Sequence, residues 1–410
     1  MFNLSKNTNF PFKIAAINLV IVAIFGCILR LQLVYPIKGL VYPYLIHAHS
    51  HLAFLGWVFM ALFVFLMKAY LPKESLVSGK FFYLFVVFQV ANMGMLFTFP
   101  FTGYGLWSIV FSALHAFLSM CFATVFIRKA QISLSVKHLE SFQFVKWGLL
   151  LMVLANLAPL ALGPVKAMTG QSDWYYLLIY FYLHFQYNGW FTFAVIGLLL
   201  FLVEKAGVNS DNRLLRRFFM LSLVSVFPTY GLSALWLDPS FWIWLISGVS
   251  ALVQFGGMFY FLLFVIQNKR KMENLLNIHE KVIVLLAVFA FMLKNCLQLG
   301  SAFPFAAEFA FANRSIVIGY LHLVLLGFVT LALWFIAFKF NLINSAKPLA
   351  KLASGLLVMG LFFNELFLIL PAIVGAIPNL SQMLLVASLV MLLGCVLFYF
   401  SINHRHERDL

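Results

Sequence analysis

The sequence has 410 residues, of which 64% are hydrophobic and only 10% are charged, and its mean hydropathy is +1.01. This composition excludes a water-soluble protein and predicts an integral membrane protein. The net charge of +15 is spread over short segments between apolar runs instead of forming one basic domain. It therefore does not indicate nucleic-acid binding.

Twelve apolar runs are each long enough to cross a bilayer, which takes about 20 residues in a helix. The sequence therefore predicts an all-α, polytopic membrane protein with a single integral membrane domain over residues 1–410. In chain order, the predicted transmembrane helices are 13–35, 46–69, 80–101, 104–127, 145–164, 174–203, 215–236, 241–267, 281–303, 314–339, 350–373 and 380–402.

Lysine and arginine are concentrated in alternate loops between these predicted helices. Of the 27 cations, 22 lie on one side of the predicted membrane. The positive-inside rule then predicts cytoplasmic N and C termini. We expect a multi-pass protein of the inner (cytoplasmic) membrane of a bacterium. The cations on the opposite side are Arg30, Lys38, Lys166, Lys294 and Arg314.

Three predicted helices share one motif, which consists of a histidine, four residues, a glycine and an aromatic residue. The spacings between the three histidines are 133 and 138 residues, about the length of four helices with their loops. This period predicts four-helix repeats at approximately 13–130, 145–270 and 281–402, and therefore a pseudo-threefold (3 × 4 helices) bundle. The motif begins at His51, His184 and His322.

The motif histidines and His115 all lie early in helices that the predicted topology runs from outside to inside. With a rise of about 1.5 Å per residue, each lies about 10–16 Å below the outer end of its helix. A single intramembrane histidine is often only an interhelical hydrogen-bond partner. Several at one depth favour a metal or heme site, because a heme needs axial imidazoles at equal depth. The predicted cytoplasmic histidines are His138, His279, His404 and His406.

Predicted helix 2 contains two further histidines, His47 and His49. The i, i+4 spacing places His47 and His51 on one face of a helix, whereas His49 points roughly the opposite way. A metal ligand and a supporting histidine can therefore coexist there. The motif glycines are interpreted as positions of close helix packing, which needs no ligand.

The twelve-helix layout and these histidines resemble subunit I of the heme-copper oxidase superfamily, which includes cytochrome oxidases and nitric oxide reductases. The resemblance implies three pseudo-symmetric four-helix arcs and a low-spin, bis-histidine heme b held by His51 and His322. It also implies copper or non-heme iron near His184, with His49 and His115 as further candidate metal ligands. A shorter similarity, through His49-Ser50-His51 before Leu55-Gly56-Trp57, is to NnrS-type heme and copper membrane proteins.

Two departures from the oxidase pattern limit what the resemblance implies. Predicted helix 7, including Ser222 to Gly231, lacks the family's histidine pair, and Tyr320 stands where the ligand of the active-site heme would be. Proton-pumping oxygen reduction is therefore not implied. The expected function is electron transfer, or binding or reduction of a diatomic gas such as nitric oxide or oxygen, by an oxidoreductase if the protein is an enzyme.

Four charged residues lie in or beside the predicted membrane core. Arg30 and Arg314 are expected to bind heme propionates, or alternatively to extend to the lipid headgroups. Lys294 lies within predicted helix 9 and Glu365 within predicted helix 11. Glu365 can pair with Lys294, carry a proton or bind a metal, and the alternative is a neutral, hydrogen-bonded carboxyl group.

Two other functions remain open, a twelve-helix secondary transporter and an assembly subunit without cofactors. The four-helix period favours the oxidase-like arrangement, since transporter repeats usually divide twelve helices into two halves. The expected partners are membrane lipid, a quinol or protein electron donor, and a partner subunit. No Cys-x-x-Cys-His heme attachment motif occurs in the sequence.

Overall fold

The computed structural model describes residues 9–72, 79–132, 140–208 and 213–403. It is 87% helical, and the described residues contain 12 helices long and apolar enough to cross a membrane. The predicted all-α class and the twelve helices are therefore confirmed, and the chain is a multi-pass membrane protein. Several predicted cytoplasmic residues lie outside the described residues, namely Lys6, Lys73, Lys137, His138, His404, Arg405, His406 and Arg408.

The membrane-length helices begin and end close to the predicted positions. In addition, a short helix that the hydropathy pattern does not predict, Pro304–Ala312, precedes the tenth long helix. The twelve long helices, named α1 to α12, are Phe10–Val34, Tyr42–Tyr70, Lys80–Thr102, Leu106–Ile132, Glu140–Thr169, Asp173–Lys205, Arg213–Leu237, Phe241–Glu273, Ile278–Gly300, Arg314–Lys339, Pro348–Val374 and Leu380–Ser401.

The chain forms two compact units. Unit 1 comprises Met1–Leu118 and Leu333–Leu410, and unit 2 comprises Ser119–Ala332. The predicted four-helix repeats are smaller than these units and remain a prediction.

In unit 1, α12 packs closely on both α1 and α11. Phe398 of α12 stacks on Trp334 with ring centroids 3.8 Å apart, and it makes an edge contact with Phe12 of α1. Gly394 permits the approach to α11, because a Cβ there would lie 2.8 Å from the backbone nitrogen of Leu357. Close backbone approach at small residues is the usual way in which membrane helices associate.

In unit 2, α5 and α6 approach each other in the same manner. A Cβ at Gly197 of α6 would lie 2.9 Å from the carbonyl oxygen of Ser141 in α5. Near this contact, the Glu204 carboxylate accepts hydrogen bonds from the backbone N–H and the hydroxyl of Ser141. The cytoplasmic-side ends of the two helices, in the predicted topology, are therefore held together by polar contacts as well as by packing.

The three helices that carry the repeated motif are also the most buried of the twelve. The buried share of the most apolar stretch is 83% in α2, 72% in α6 and 50% in α10, against 28–39% in the other nine. Helices facing lipid on one side need only one packed face, whereas these three are surrounded by other helices over much of their length. The motif therefore marks the three most buried of the described long helices.

Candidate functional site

Each of the three motifs has the same unusual backbone. A π-helical segment begins at the residue directly after each motif histidine and contains the motif glycine. Within the described ranges, the π-helical segments are Leu52–Phe59, Phe185–Phe191 and Leu323–Thr330. π-helical turns are rare and frequent at functional sites. The sequence repeat is thus also a repeat of backbone geometry.

In α2, the ring of His51 is oriented by a backbone hydrogen bond. Its Nδ1 lies 2.9 Å from the carbonyl oxygen of His47. A carbonyl only accepts, so Nδ1 carries the proton and the lone pair of the ring is on Nε2. The ring packs against Phe99 at 4.4 Å and Tyr104 at 5.7 Å. A metal-ligating histidine usually has this form, in which one ring N–H donates to a carbonyl group and the other ring nitrogen binds the metal.

The other two histidines of α2 point as the helical spacing predicts. His47 shares the face of His51 and lies 4.5 Å from the ring of Tyr104. His49 points to α1, where its Nδ1 donates to the carbonyl oxygen of Val22 at 3.0 Å. A Cβ at Gly26 of α1 would be 3.4 Å from the His49 ring. The prediction of opposite faces is confirmed, and His49 contacts a helix that lacks other histidines.

Side chains from neighbouring helices bond to carbonyl groups of the first π-helical segment. Asn18 of α1 is completely buried, and its Nδ2 donates to the carbonyl oxygen of Gly56 at 2.8 Å. The same amide exchanges two hydrogen bonds with Gln89 of α3, at 3.0 and 3.1 Å. His115 of α4 interacts with the backbone carbonyl of Leu55. The change in backbone hydrogen bonding at a π segment leaves carbonyl groups available for such partners.

His115 is buried and has an unused ring nitrogen. It is 1% exposed, and its ring lies 4.8 Å from each of Phe59 and Phe88. In the part of the chain that the structure describes, its Nε2 has no hydrogen-bond partner, and neither side-chain polar atom of Asn92 on α3 has one. Buried polar atoms are normally bonded, so each exception needs an explanation. His115 therefore keeps its place among the candidate ligands.

His184 of α6 differs from His51, because both of its ring nitrogens are hydrogen-bonded. Nε2 lies 2.8 Å from the carbonyl oxygen of Val226, and the Asn188 side-chain amide donates to Nδ1 at 3.1 Å. The proton is therefore on Nε2, and the lone pair on Nδ1 is occupied by Asn188. His184 would bind a metal only after the Asn188 amide had moved, so its present contacts do not fit a metal ligand.

The carbonyl that binds His184 is available because α7 changes geometry there. Pro228 has no N–H and begins a 3₁₀-helical stretch, Pro228–Leu237. The N–H of Tyr230 bonds to Phe227 at 3.2 Å, where an α-helix would have bonded it to Val226. The helix break thus supplies the partner of His184.

Two threonines belong to the repeated structure, and the sequence interpretation missed them. Thr192 donates to the carbonyl oxygen of Tyr187 at 2.7 Å, and Thr330 to that of Leu325 at 2.8 Å. Both threonines are the eighth residue after a motif histidine, and both acceptors are the third. Extending the alignment of the three motifs by two residues beyond the aromatic position reveals this signal. The corresponding residue in α2 is Phe59.

The histidine of the third motif, His322, is half-buried at the end of the α-helical stretch Arg314–His322. Tyr320, two residues earlier, is also half-buried, and its ring lies 6.0 Å from that of Tyr187. Arg314 is the exposed first residue of α10.

In unit 1, the predicted propionate ligand Arg30 has polar neighbours. Its guanidinium interacts electrostatically with Glu365 and with His49. The Glu365 carboxylate also accepts a hydrogen bond from Asn364 at 3.0 Å. Glu365 and His49 are therefore ionisable neighbours of Arg30 within this unit.

Lys294 of unit 2 is completely buried, and no described residue forms a hydrogen bond with its Nζ. The Nζ atom lies 5.9 Å from the ring centroid of Phe291, and Lys294 interacts electrostatically with His184.

Comparison with known proteins adds no relative: no protein-family model matches the chain, and no curated protein matches it. Functional inference therefore depends on the residues and their geometry. Among the described residues, no three His, Cys, Asp or Glu side chains form a metal-binding group. A bis-histidine heme requires only two protein ligands and is not addressed by that observation.

Proposed function

We propose that this protein is a membrane heme protein, similar in architecture to subunit I of the heme-copper oxidases. In this proposal His51 and His322 are the axial ligands of one low-spin heme b. The observation that carries the proposal is the tautomer of His51, in which Nδ1–H is bonded to a carbonyl and Nε2 has the lone pair. The recurrence of the same π-helical geometry directly after His322 supports the choice of the second ligand.

The residues around His51 suit an axial ligand. The hydrogen bond from Nδ1 to His47 fixes the rotation of the ring and increases the basicity of Nε2. Phe99 and Tyr104 pack aromatic surface against the half-buried ring. Arg30 and Arg314 supply positive charge for the two propionates. The half-buried Arg30 suits this role better than the exposed Arg314 does.

A bound heme would supply reversible one-electron chemistry and iron for coordination. The chain itself would orient the ligand, exclude water and neutralise the propionates. We propose electron transfer or the binding or reduction of nitric oxide or oxygen as the activity, with electrons from a quinol or a protein donor. A partner subunit, the cytoplasmic termini and the bacterial inner membrane belong to the same proposal.

We do not include a second metal at His184. Copper or non-heme iron there would need a ring nitrogen that is bonded to Val226 or to Asn188. A role for His184 in holding α6 against the broken helix α7 accounts for both bonds.

Heme content tests the proposal. The purified protein, produced with heme supplied, is expected to contain about one heme b per chain by the pyridine hemochrome assay. His51→Ala and His322→Ala should each lose most of it, whereas the control His279→Ala, at the start of α9, should retain it. A folded wild-type protein without heme would contradict the proposal and would favour a transporter or an assembly subunit.

A further inference from the structure

The short helix Pro304–Ala312 connects α9 to α10 and is held at both of its ends. Just before it, the indole Nε1 of Trp244 on α8 donates to the carbonyl oxygen of Ala302 at 2.7 Å. Just after it, the side-chain amide of Asn313 donates to the carbonyl oxygen of Phe309 at 2.8 Å. The short helix also packs against the 3₁₀ stretch of α7. It therefore has a defined position within unit 2.

The position of the short helix in the chain places it at one surface of the membrane. The span α9 precedes it and the span α10 follows it, so the chain leaves and re-enters the bilayer on the same side. Its 9 residues are about 14 Å long, which is less than half of the roughly 30 Å that the hydrocarbon core measures. The short helix therefore cannot cross the membrane. In the predicted topology it lies on the outer side.

Two faces of the short helix differ in the size and the exposure of their side chains. Ala306, Ala307 and Ala310 are half-buried, which turns this face toward the rest of unit 2. Phe305 and Phe309 are 80% and 39% exposed, and their i, i+4 spacing places them together on another face. Their rings stack, with centroids 6.3 Å apart and an angle of 13° between the ring planes. The short helix thus turns its large aromatic side chains away from the protein.

The surroundings of this aromatic face are those of the membrane interface. Exposed apolar side chains continue on both neighbouring spans, at Leu297 of α9 and Val317 of α10, which are 46% and 40% exposed. Each lies within one turn of the end of its span that adjoins the short helix. Trp242, which is 67% exposed, lies at the start of α8, close to the Trp244 that bonds to Ala302. Exposed tryptophans at the ends of spans are typical of the interface between lipid and water.

The charge of the connecting segment indicates which lipid chemistry it fits. Within residues 301–313, the only charged residue is Glu308, and its side chain is exposed. Interfacial helices that depend on anionic lipids carry lysine and arginine on their polar face instead. Glu308 is three residues after Phe305, so it projects at the edge of the aromatic face and can reach water. The segment therefore fits a bilayer surface without a requirement for anionic headgroups.

We propose that the short helix is an interfacial helix, which lies in the plane of the membrane and inserts Phe305 and Phe309 into the lipid. The partner of the aromatic face is the phospholipid bilayer, because this face adjoins the lipid-facing surface of α9 and α10. The two rings lie about 5–10 Å deep at the boundary between headgroups and acyl chains. Glu308 remains in contact with water. The proposal does not depend on the proposed heme or its ligands.

Spin labels on the full chain in phosphatidylcholine bilayers test this proposal. The exposed Cys296 is replaced by serine, and one label is attached at Phe305→Cys or, as the matched control on the same helix, at Glu308→Cys. The Cys296→Ser chain without a new cysteine gives the background. Collisions with molecular oxygen, which concentrates in the hydrocarbon, and with a water-soluble nickel chelate report the depth of each label. The label at position 305 should collide mainly with oxygen, and several-fold less often with nickel than the label at position 308.

Equal nickel collision rates at positions 305 and 308 would overturn the proposal, since both side chains would then face water. A label at position 305 that is shielded from both reagents would also overturn it, because a second copy of the chain or another protein segment would then cover the aromatic face. If Phe305→Cys does not fold, Phe309→Cys provides the second position and should give the same preference for oxygen. Bilayers that also contain phosphatidylglycerol should leave the result unchanged, and insertion only with this anionic lipid would contradict the uncharged mode of binding.

Discussion

Replacement of Asn18 by leucine tests whether the π-helical segment of α2 is held by side chains of the neighbouring helices. The change removes three hydrogen bonds, one to the Gly56 carbonyl and two to the Gln89 amide, all in the interior of unit 1. Leucine has a similar volume, so little space is lost. The principal effect should be the unbonded polar groups that remain on Gly56 and Gln89.

Hydrogen bonds between membrane helices contribute about 0.6–1 kcal/mol each. Three of them correspond to about 2–3 kcal/mol of unfolding free energy. For a unit of about 200 residues, that loss lowers Tm by roughly 4–12 °C. The assay is thermal unfolding in detergent, followed by intrinsic tryptophan fluorescence. Asn268→Leu, at the end of α8, removes one bond to its own helix and serves as the control.

A double variant, Asn18→Leu with Gln89→Leu, makes the test more specific. It removes both amides, so the Gln89 group is no longer left unbonded, and it should be less destabilised than the sum of the two single variants. An Asn18→Leu protein with wild-type Tm, or strictly additive single effects, would refute the reasoning.

Three other predictions concern the repeated motif and helix packing. Thr192→Val and Thr330→Val should each lower the unfolding free energy by about 0.5–1.5 kcal/mol, because each removes a hydroxyl hydrogen bond to the backbone. Serine at either position keeps the hydroxyl and should be nearly neutral. Equal effects of valine and serine would contradict the hydroxyl bonds. Gly394→Ala should lower the unfolding free energy by about 1–3 kcal/mol, because the added Cβ meets the backbone of Leu357. The control is Gly355→Ala, where a Cβ meets nothing within 4 Å, and it should be neutral or stabilising by up to about 1 kcal/mol. Similar Tm changes for the two variants would argue against the close α11–α12 approach. Asn188→Leu should lower Tm and change the ring-nitrogen chemical shifts of a labelled His184, and unchanged shifts would show that the amide does not bind that ring.

The twelve helices could be predicted from the sequence because bilayer thickness imposes a minimum length on every apolar run. Predicted helix 10, 314–339, coincides with α10. The short helix Pro304–Ala312 could not be found in this way, since it is less than half as long as a membrane span and its composition resembles that of its neighbours.

The motif histidines and their glycines could also be recognised from the sequence, because they recur at a fixed spacing. The π-helical segments could not, since side-chain periodicity does not report which backbone N–H bonds to which carbonyl. A proline such as Pro228 indicates a helix break in any sequence, but its consequence here, a Val226 carbonyl that binds His184, depends on the packing of α6 against α7. Copper or non-heme iron near His184 stays a prediction of the sequence, and the two hydrogen bonds of the His184 ring are the reason that it is left out of the proposed function.

The reduced-minus-oxidised optical spectrum of the purified protein tests the central claim most directly, when it is recorded beside the His51→Ala, His322→Ala double variant. A low-spin heme b spectrum in the wild type that is absent from the folded double variant is the predicted result. A spectrum that persists unchanged in the double variant, or a wild-type protein with no heme spectrum after heme has been supplied, would contradict it.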